Sequence, residues 1–248
     1  MNTSKKITFV LPAYRETDAI YQLIMQLHET VPENSSIVVV DDSPDSDTVK
    51  FCEAAFRDSN WSIQNTKIIK NNQKGGRGHA VKMGLEYALL DKSTNCFVEM
   101  DSDGSHPAIM ALKVAQEVPG VDFCVGSRYL LESEIVGWSL QRRIFSKIIN
   151  SVLRRIFNKK ISDWTNGLRA YSRVATEAIC GHEPFTTGFI YLSEQALILT
   201  NGDFRITQTP IVFRERSHGQ STVTWRELLN SITGVLKILK NRKTIKKS

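Results

Sequence analysis

From Ile7 to Met100 short apolar runs alternate with segments of helical period, and this alternation limits the possible folds more than any other feature of the chain. Ile7–Leu11, Ile37–Val40, Thr66–Ile69 and Cys96–Met100 have the length and residue types of buried strands. Between them, helices are expected near Asp18–Thr30, near Asp47–Arg57 and from about His79 to Leu90, with Asp18 and Asp47 as N-caps. Parallel neighbours need a long crossover, so strand–helix–strand order predicts an α/β fold with a mostly parallel sheet flanked by helices. Later strands are expected at Asp122–Tyr129 and Phe204–Phe213, with helices between.

Parallel strands share one carboxyl edge, and ligands of open α/β sheets bind outside it. Each early run ends there in polar residues: Pro12-Ala13-Tyr14-Arg15-Glu16, Asp41-Asp42-Ser43-Pro44-Asp45, and the glycine loop Lys74-Gly75-Gly76-Arg77-Gly78-His79. The fourth run stops on Asp101 and Asp103, one residue apart, before Gly104 and Pro107 turn the chain. Hard oxygen ligands at such a place suit Mg²⁺ or Mn²⁺ held jointly with substrate phosphates, while Asp, Ser and Gly also make ordinary solvated turns. Glu16, Asp42, Asp101 and Asp103 would surround one crevice, where carboxylates accept from ribose or base donors and Tyr14 stacks on the base. The glycine loop lacks a P-loop signature and fits a tight turn before a helix equally well.

The 248 residues are 41% apolar, enough for a sizeable core, and four cysteines without C-x-x-C spacing read as reduced, buried thiols. No apolar stretch approaches the ~20 residues of a membrane span, and the start of the chain lacks a signal-peptide pattern, so a cytoplasmic protein is expected. From Lys237 onward six basic residues stand with no acid, and without them Lys+Arg and Asp+Glu are equal at 26. A second acid-free stretch, Ile135–Ser162, interleaves Arg142, Arg143, Lys147, Arg154, Arg155, Lys159 and Lys160 with apolar pairs four apart. This is an amphipathic helix, which either packs on the core or lies on an anionic membrane surface. Two such elements point to the membrane, and no nucleic-acid-binding motif accompanies them.

With these residues in hand, the chain resembles family 2 glycosyltransferases of the GT-A fold, and within them the polyprenyl-phosphate sugar synthases. The likeness rests on Val10-Leu11-Pro12-Ala13-Tyr14-Arg15-Glu16, Val38-Val39-Val40-Asp41-Asp42-Ser43-Pro44, the glycine loop with Gly84, Met100–Pro107, Val125-Gly126-Ser127-Arg128-Tyr129 and Ser162–Tyr171. It implies a GT-A domain over residues 1–236, with a nucleotide-sugar half to about 130, an acceptor half to 236, and a basic tail over 237–248. It implies that Pro12, Tyr14, Glu16, Val40, Asp42, Asp101 and Ser102 meet the nucleoside, that Asp103 and Ser105 ligate the metal, and that Arg128 and Arg216 meet phosphates. Asp103 and Arg128 would then be catalytic. Arg142 and Ser146 would form the acceptor-phosphate site. Asp163 and Arg169 fit a structural ion pair equally well, and His106 reads as a turn residue. The chain departs from the family pattern at Thr222, where a lysine is usual, and at Gln208, often Glu.

The resemblance implies an inverting, metal-dependent transferase that moves a hexose from a nucleotide-diphosphate sugar to a polyprenyl phosphate at the cytoplasmic membrane face. GDP-mannose is the favoured donor and a UDP-hexose the other. An ionised phosphate acceptor needs no general base, whereas a glycan hydroxyl does. Transfer to a glycan hydroxyl and an inactive membrane-bound partner subunit stand as the two alternatives.

Overall fold

The computed structural model describes residues 6–71, 75–186, 190–215 and 225–241. A seven-stranded sheet forms its centre. Its first four strands are β1 (Lys6–Ala13), β2 (Ser36–Asp41), β3 (Thr66–Lys70) and β4 (Thr94–Glu99), joined through α1 (Asp18–Thr30), α2 (Asp47–Asp58) and α3 (Arg77–Leu89). After α4 (Ala108–Gln116) come β5 (Phe123–Ser127), the short β6 (Glu134–Val136), α5 (Leu140–Ile156), β7 (Arg169–Ser172), α6 (Arg173–Cys180), α7 (Tyr191–Asn201), β8 (Ile206–Pro210), β9 (Val212–Arg214) and α8 (Trp225–Lys240). The strand order is β3-β2-β1-β4-β7-β5-β8, all pairs parallel except those of β7.

Strand side chains alternate between faces, and the core divides accordingly. Phe9, Leu11, Ile37 and Val39 pack with α1, α2 and α4. Val10, Val38 and Val40 pack on the other face with α3, α6, α7 and the inner sides of α5 and α8. The register of Leu11 with Val39 and of Val10 with Glu99 brings the ends of β1, β2 and β4 to one edge.

Three expectations change. The N-caps are Thr17 and Ser46, so Asp18 and Asp47 stand inside the first turns, where they favour the helix dipole rather than cap it. The strand expected over Phe204–Phe213 is two: buried Ile211 donates to Ser127 O and accepts from Glu134 N, so β8 stays in the main sheet while β9 pairs with β6. The boundary placed at 237 falls inside α8, where Ile238 is fully buried.

The antiparallel β7 has the largest consequence for the site. It opposes Arg169 to both Glu99 and Val125, so the segment leading into it, residues 162–168, arrives at the carboxyl ends of β4 and β5. An antiparallel strand's start lies beside its neighbours' ends.

Candidate functional site

Hydrogen bonds tie the loops at this edge into one unit. Ser102 Oγ donates to Pro12 O at 2.7 Å, and Asp42 N donates to Ala13 O at 3.0 Å. Asp42 accepts from Asn71 Nδ2 at 2.8 Å and from Gly76 N at 3.0 Å, so the glycine loop is held against the second strand. Its neighbour Asp41 faces the other way, fully buried, with Lys70 Nζ at 2.7 Å. Lys70 also reaches Ser43 O and Asp45 O, which fixes the loop carrying Asp42. Tyr14 is exposed at the rim with the Arg15 guanidinium 5.5 Å from its ring, and Arg15 takes φ +58° while donating its N–H to Ser43 Oγ. Glu16 is half-buried beside them. Val40 is different: its side chain lies wholly in the core, so only its backbone is available to a nucleoside.

Beneath Asp101 runs a network that sequence reasoning missed. Arg77 Nη1 donates to Glu99 at 2.6 Å, and its Nε and Nη2 meet Asp101 Oδ1 at 2.9 and 2.8 Å. Glu99 is fully buried and also accepts from Tyr171 Oη at 2.9 Å. Burial opposes the charge on Arg77, but Asp101 and Glu99 outweigh it and raise its pKa. Burial and the Glu99 charge likewise push the Tyr171 phenol well up. Gly167 closes the network, because a Cβ there would lie 2.6 Å from Arg77 Nη2 and 2.7 Å from Asp101 Oδ2. The available signal was Glu99 itself, an acid at the end of an apolar strand that requires a cation.

Asp103 is nearly buried, and its Oδ1 accepts from Ser105 N at 3.0 Å. Ser105 Oγ stands 3.5 Å from His106 Nδ1. His106 is fully buried rather than a surface turn residue: its Nε2 meets Asn166 Oδ1 at 2.8 Å, and its ring packs edge-on against Phe213. Among the described residues no three His, Cys, Asp or Glu converge as a metal cage. The oxygen donors present, Asp103 with Ser105 beside it, suit a hard divalent cation whose remaining ligands come from phosphates or water.

Arg128 closes the edge from β5, buried, with a two-pronged grip on Asp163: Nε to Oδ2 at 2.8 Å and Nη2 to Oδ1 at 2.9 Å, and a further bond to Thr165 Oγ1 at 2.8 Å. Burial would raise the Asp163 carboxyl, yet Arg128 and two backbone N–H groups hold it below the usual carboxylate range. The alternative of an Asp163–Arg169 ion pair is therefore not the one that forms. Arg169 instead donates to the carbonyls of Asn166, Leu192 and Trp164, fixing the 162–168 segment from within. Gln208 accepts from Ser162 N and Oγ at 2.6 and 2.7 Å, so the amide does local work where the family often has a carboxylate.

The residues expected at the acceptor phosphate are tied to this edge through α5. Tyr129 Oη and Ser146 Oγ are 2.6 Å apart; Asn150, buried on the same helix, bonds Thr165 Oγ1 and Trp164 N. Arg142, in the first turn, stacks on Trp138 with Cζ 4.2 Å from the ring and meets Glu215 Oε1 at 2.8 Å. Leu140, Ile144, Phe145, Ile148 and Val152 are 42–72% exposed, so the outer apolar face of α5 does not pack on the core. Glu194 is fully buried, accepting from His182, Phe185 N and Thr186, and is structural. Arg216 and Thr222 lie outside the described residues, as do residues 242–248.

Comparison with known proteins decides the family. Residues 8–180 match the family described as Glycosyl transferase family 2. The chain belongs to glycosyltransferase family 2. Its mostly parallel seven-stranded sheet has the GT-A fold of its structural neighbours. The chain is 28% identical over 222 residues to the polyprenol monophosphomannose synthase of Mycolicibacterium smegmatis, covering 89% of this chain and 82% of that protein. It is 26% identical over 219 residues to the undecaprenyl-phosphate mannosyltransferase of Micrococcus luteus, covering 88% of each. Glucosyl-3-phosphoglycerate synthase from Mycobacterium tuberculosis, solved with Mn²⁺, UDP and glucosyl-3-phosphoglycerate, superposes with a TM-score of 0.64 at 19% identity, covering 96% of this chain and 80% of that one. No helix among the described residues of the family 2 chain is long and apolar enough to cross a membrane.

Proposed function

We propose that this family 2 enzyme is an inverting mannosyltransferase that moves mannose from GDP-mannose to a polyprenyl phosphate, acting as a peripheral protein on the cytoplasmic membrane face. The observation that carries the reading is the placement of Arg142 and Ser146. Both sit at the start of a helix bonded to the donor edge, and that helix leaves an apolar face open between basic side chains. A phosphate bound there is next to the donor site while its lipid chain stays in the bilayer. The names of the two mannosyl-transferring relatives support the sugar and the lipid class.

Each site residue then has a task. Tyr14, Glu16 and Asp42 receive the nucleoside, Asp101 and Ser102 lie along it, and Asp103 with Ser105 hold the divalent metal, Mg²⁺ or Mn²⁺. An ion held there would supply positive charge to the leaving diphosphate. Arg128, kept charged and oriented by Asp163, faces developing phosphate charge from a nearly dry position, where a fixed cation acts most strongly. Arg142 orients the acceptor phosphate, already ionised at neutral pH, for attack on the anomeric carbon from the face opposite the leaving group. No protein base is required.

The test is nucleotide release from GDP-mannose with and without polyprenyl phosphate, in the presence of Mn²⁺. Release that depends on the lipid phosphate supports the reading. Release stimulated only by a glycan acceptor overturns it in favour of a hydroxyl transferase, and no release in any combination favours an inactive partner subunit.

A further inference from the structure

The Arg142 guanidinium already holds an anion, and the chain supplies it. Glu215 Oε1 is 2.8 Å from Arg142 Nη1, with the two side chains 45% and 32% exposed. The contact is built rather than incidental. Glu215 N donates to Val136 O at 3.0 Å, extending the β6–β9 pairing by one residue. Gly137 follows with φ +87°, and a Cβ there would lie 2.8 Å from Glu215 Cβ, so a side-chain-free residue lets Glu215 come in. The stacked Trp138 ring supports the Arg142 guanidinium, and Arg128 Cζ lies 5.4 Å from the same ring.

We propose that Glu215 sets the affinity threshold of the acceptor site: its carboxylate occupies the anion position on Arg142 and is exchanged for the phosphate monoester of the acceptor. This rests on the reading of Arg142 as an acceptor-phosphate residue. The chemistry of the competing anions gives the exchange its purpose. A phosphate monoester carries about 1.5 to 2 negative charges at neutral pH and three acceptor oxygens, and meets the arginine fork in two-pronged fashion. The bulk of a membrane surface offers phosphodiesters instead, each with a single charge. Displacing Glu215 costs every incoming anion the same increment, which leaves the order of the anions unchanged but raises the affinity each must have to occupy Arg142. A monoester dianion overcomes it readily and a diester does not, so Arg142 is kept clear of the headgroups that crowd any protein on a bilayer.

The experiment uses the full chain and a short, soluble probe, farnesyl phosphate, with binding measured by calorimetry for wild type, Glu215→Gln, Arg142→Ala and the double variant. An exposed ion pair is worth roughly 0.2–1 kcal/mol, so Glu215→Gln is expected to tighten farnesyl phosphate roughly 1.4-fold to fivefold. In the Arg142→Ala background the same change should give no gain. Inorganic phosphate should gain in parallel if the phosphate group alone is exchanged, and farnesyl phosphate alone should gain if the lipid-borne group is required. Dimethyl phosphate, a soluble diester titrated alone, should also bind Glu215→Gln more tightly than wild type, by the same factor. Glu215→Ala serves as the second variant should Glu215→Gln fold poorly. The exchange is overturned if neither Glu215 variant tightens farnesyl phosphate, or if the gain survives without Arg142. If Arg142→Ala leaves farnesyl phosphate affinity unchanged, the acceptor reading itself fails; if it weakens affinity while Glu215→Gln gives no gain, only the exchange fails.

Discussion

On the proposed assignment, the donor edge and the acceptor helix solve opposite problems. At the donor edge Arg77 holds Glu99 and Asp101, Arg128 holds Asp163, and Asp42 holds the glycine loop, all through short bonds, with Glu99 and Asp163 fully buried and Arg77 and Arg128 nearly so. On α5 the charges are exposed, Arg142 pairs with a surface carboxylate, and apolar side chains face outward. A site for a soluble, highly charged donor needs fixed dipoles and little reorganisation. A site for a lipid needs a surface that is incomplete until the bilayer arrives.

That contrast is sharpest at Asp103. Asp103→Ala should lower transfer by more than about 1,000-fold, several kcal/mol of transition-state stabilisation, and remove the metal dependence of nucleotide binding. Activity retained at saturating Mn²⁺ would break the donor-side assignment. Arg128→Met comes next, because it strands the Asp163 carboxylate in the interior. Urea unfolding should show a loss of about 3–5 kcal/mol. The same pair has a pH signature. Asp163 is held below its unfolded pKa of roughly 3.9, so its contribution is present above that pH and is lost as pH falls through the folded value. Asp163→Asn should flatten the acid limb of the stability curve below about pH 4, and an unchanged limb would refute the assignment.

Within α5 the two regimes can be separated in one helix. Leu153→Ala, at a buried position, should cost about 2–4 kcal/mol. Ile148→Ser, on the open face, should stay within about 0.5 kcal/mol of wild-type stability yet weaken binding to anionic liposomes. Equal stability losses would mean the open face is covered in solution. Arg142→Ala should raise the apparent KM for a prenyl phosphate about tenfold and leave donor affinity unchanged. The smallest effect belongs to Arg154→Ala, about 1 kcal/mol in liposome affinity at low salt with no change toward a soluble acceptor; a loss with the soluble acceptor would move the acceptor site along the helix.

β1, β2 and β4 were legible because buried parallel strands leave continuous apolar runs, and Ile37–Val40 and Cys96–Met100 are such runs, whereas the edge strand β3 is only half-buried. β7 was not. Its four residues, Arg169 to Ser172, carry a charge and a hydroxyl, and the strand is identified by the partners on either side rather than by its own pattern. The same limit hid Arg77. A basic residue in a glycine loop reads as a phosphate or surface cation until Glu99 and Asp101 are known to lie under it. Arg128 was legible as a site residue but not as the partner of Asp163, since Arg169 is near that aspartate along the chain while Arg128 is 35 residues away from it.

The position of β7 also sets an order of events during synthesis. β4 and β5 leave the ribosome as two separate open edges, and the strand that joins them is made only after the whole of α5. Non-local pairings of this kind are slow to form and expose unpaired backbone while they wait. The nascent chain therefore passes through a stage with its amphipathic helix complete and its central sheet divided, and the basic, apolar α5 is available to a bilayer before a finished donor site exists. On the proposed assignment, the surface that receives the lipid is made before the sheet it serves is closed, so membrane contact can precede folding of the sheet.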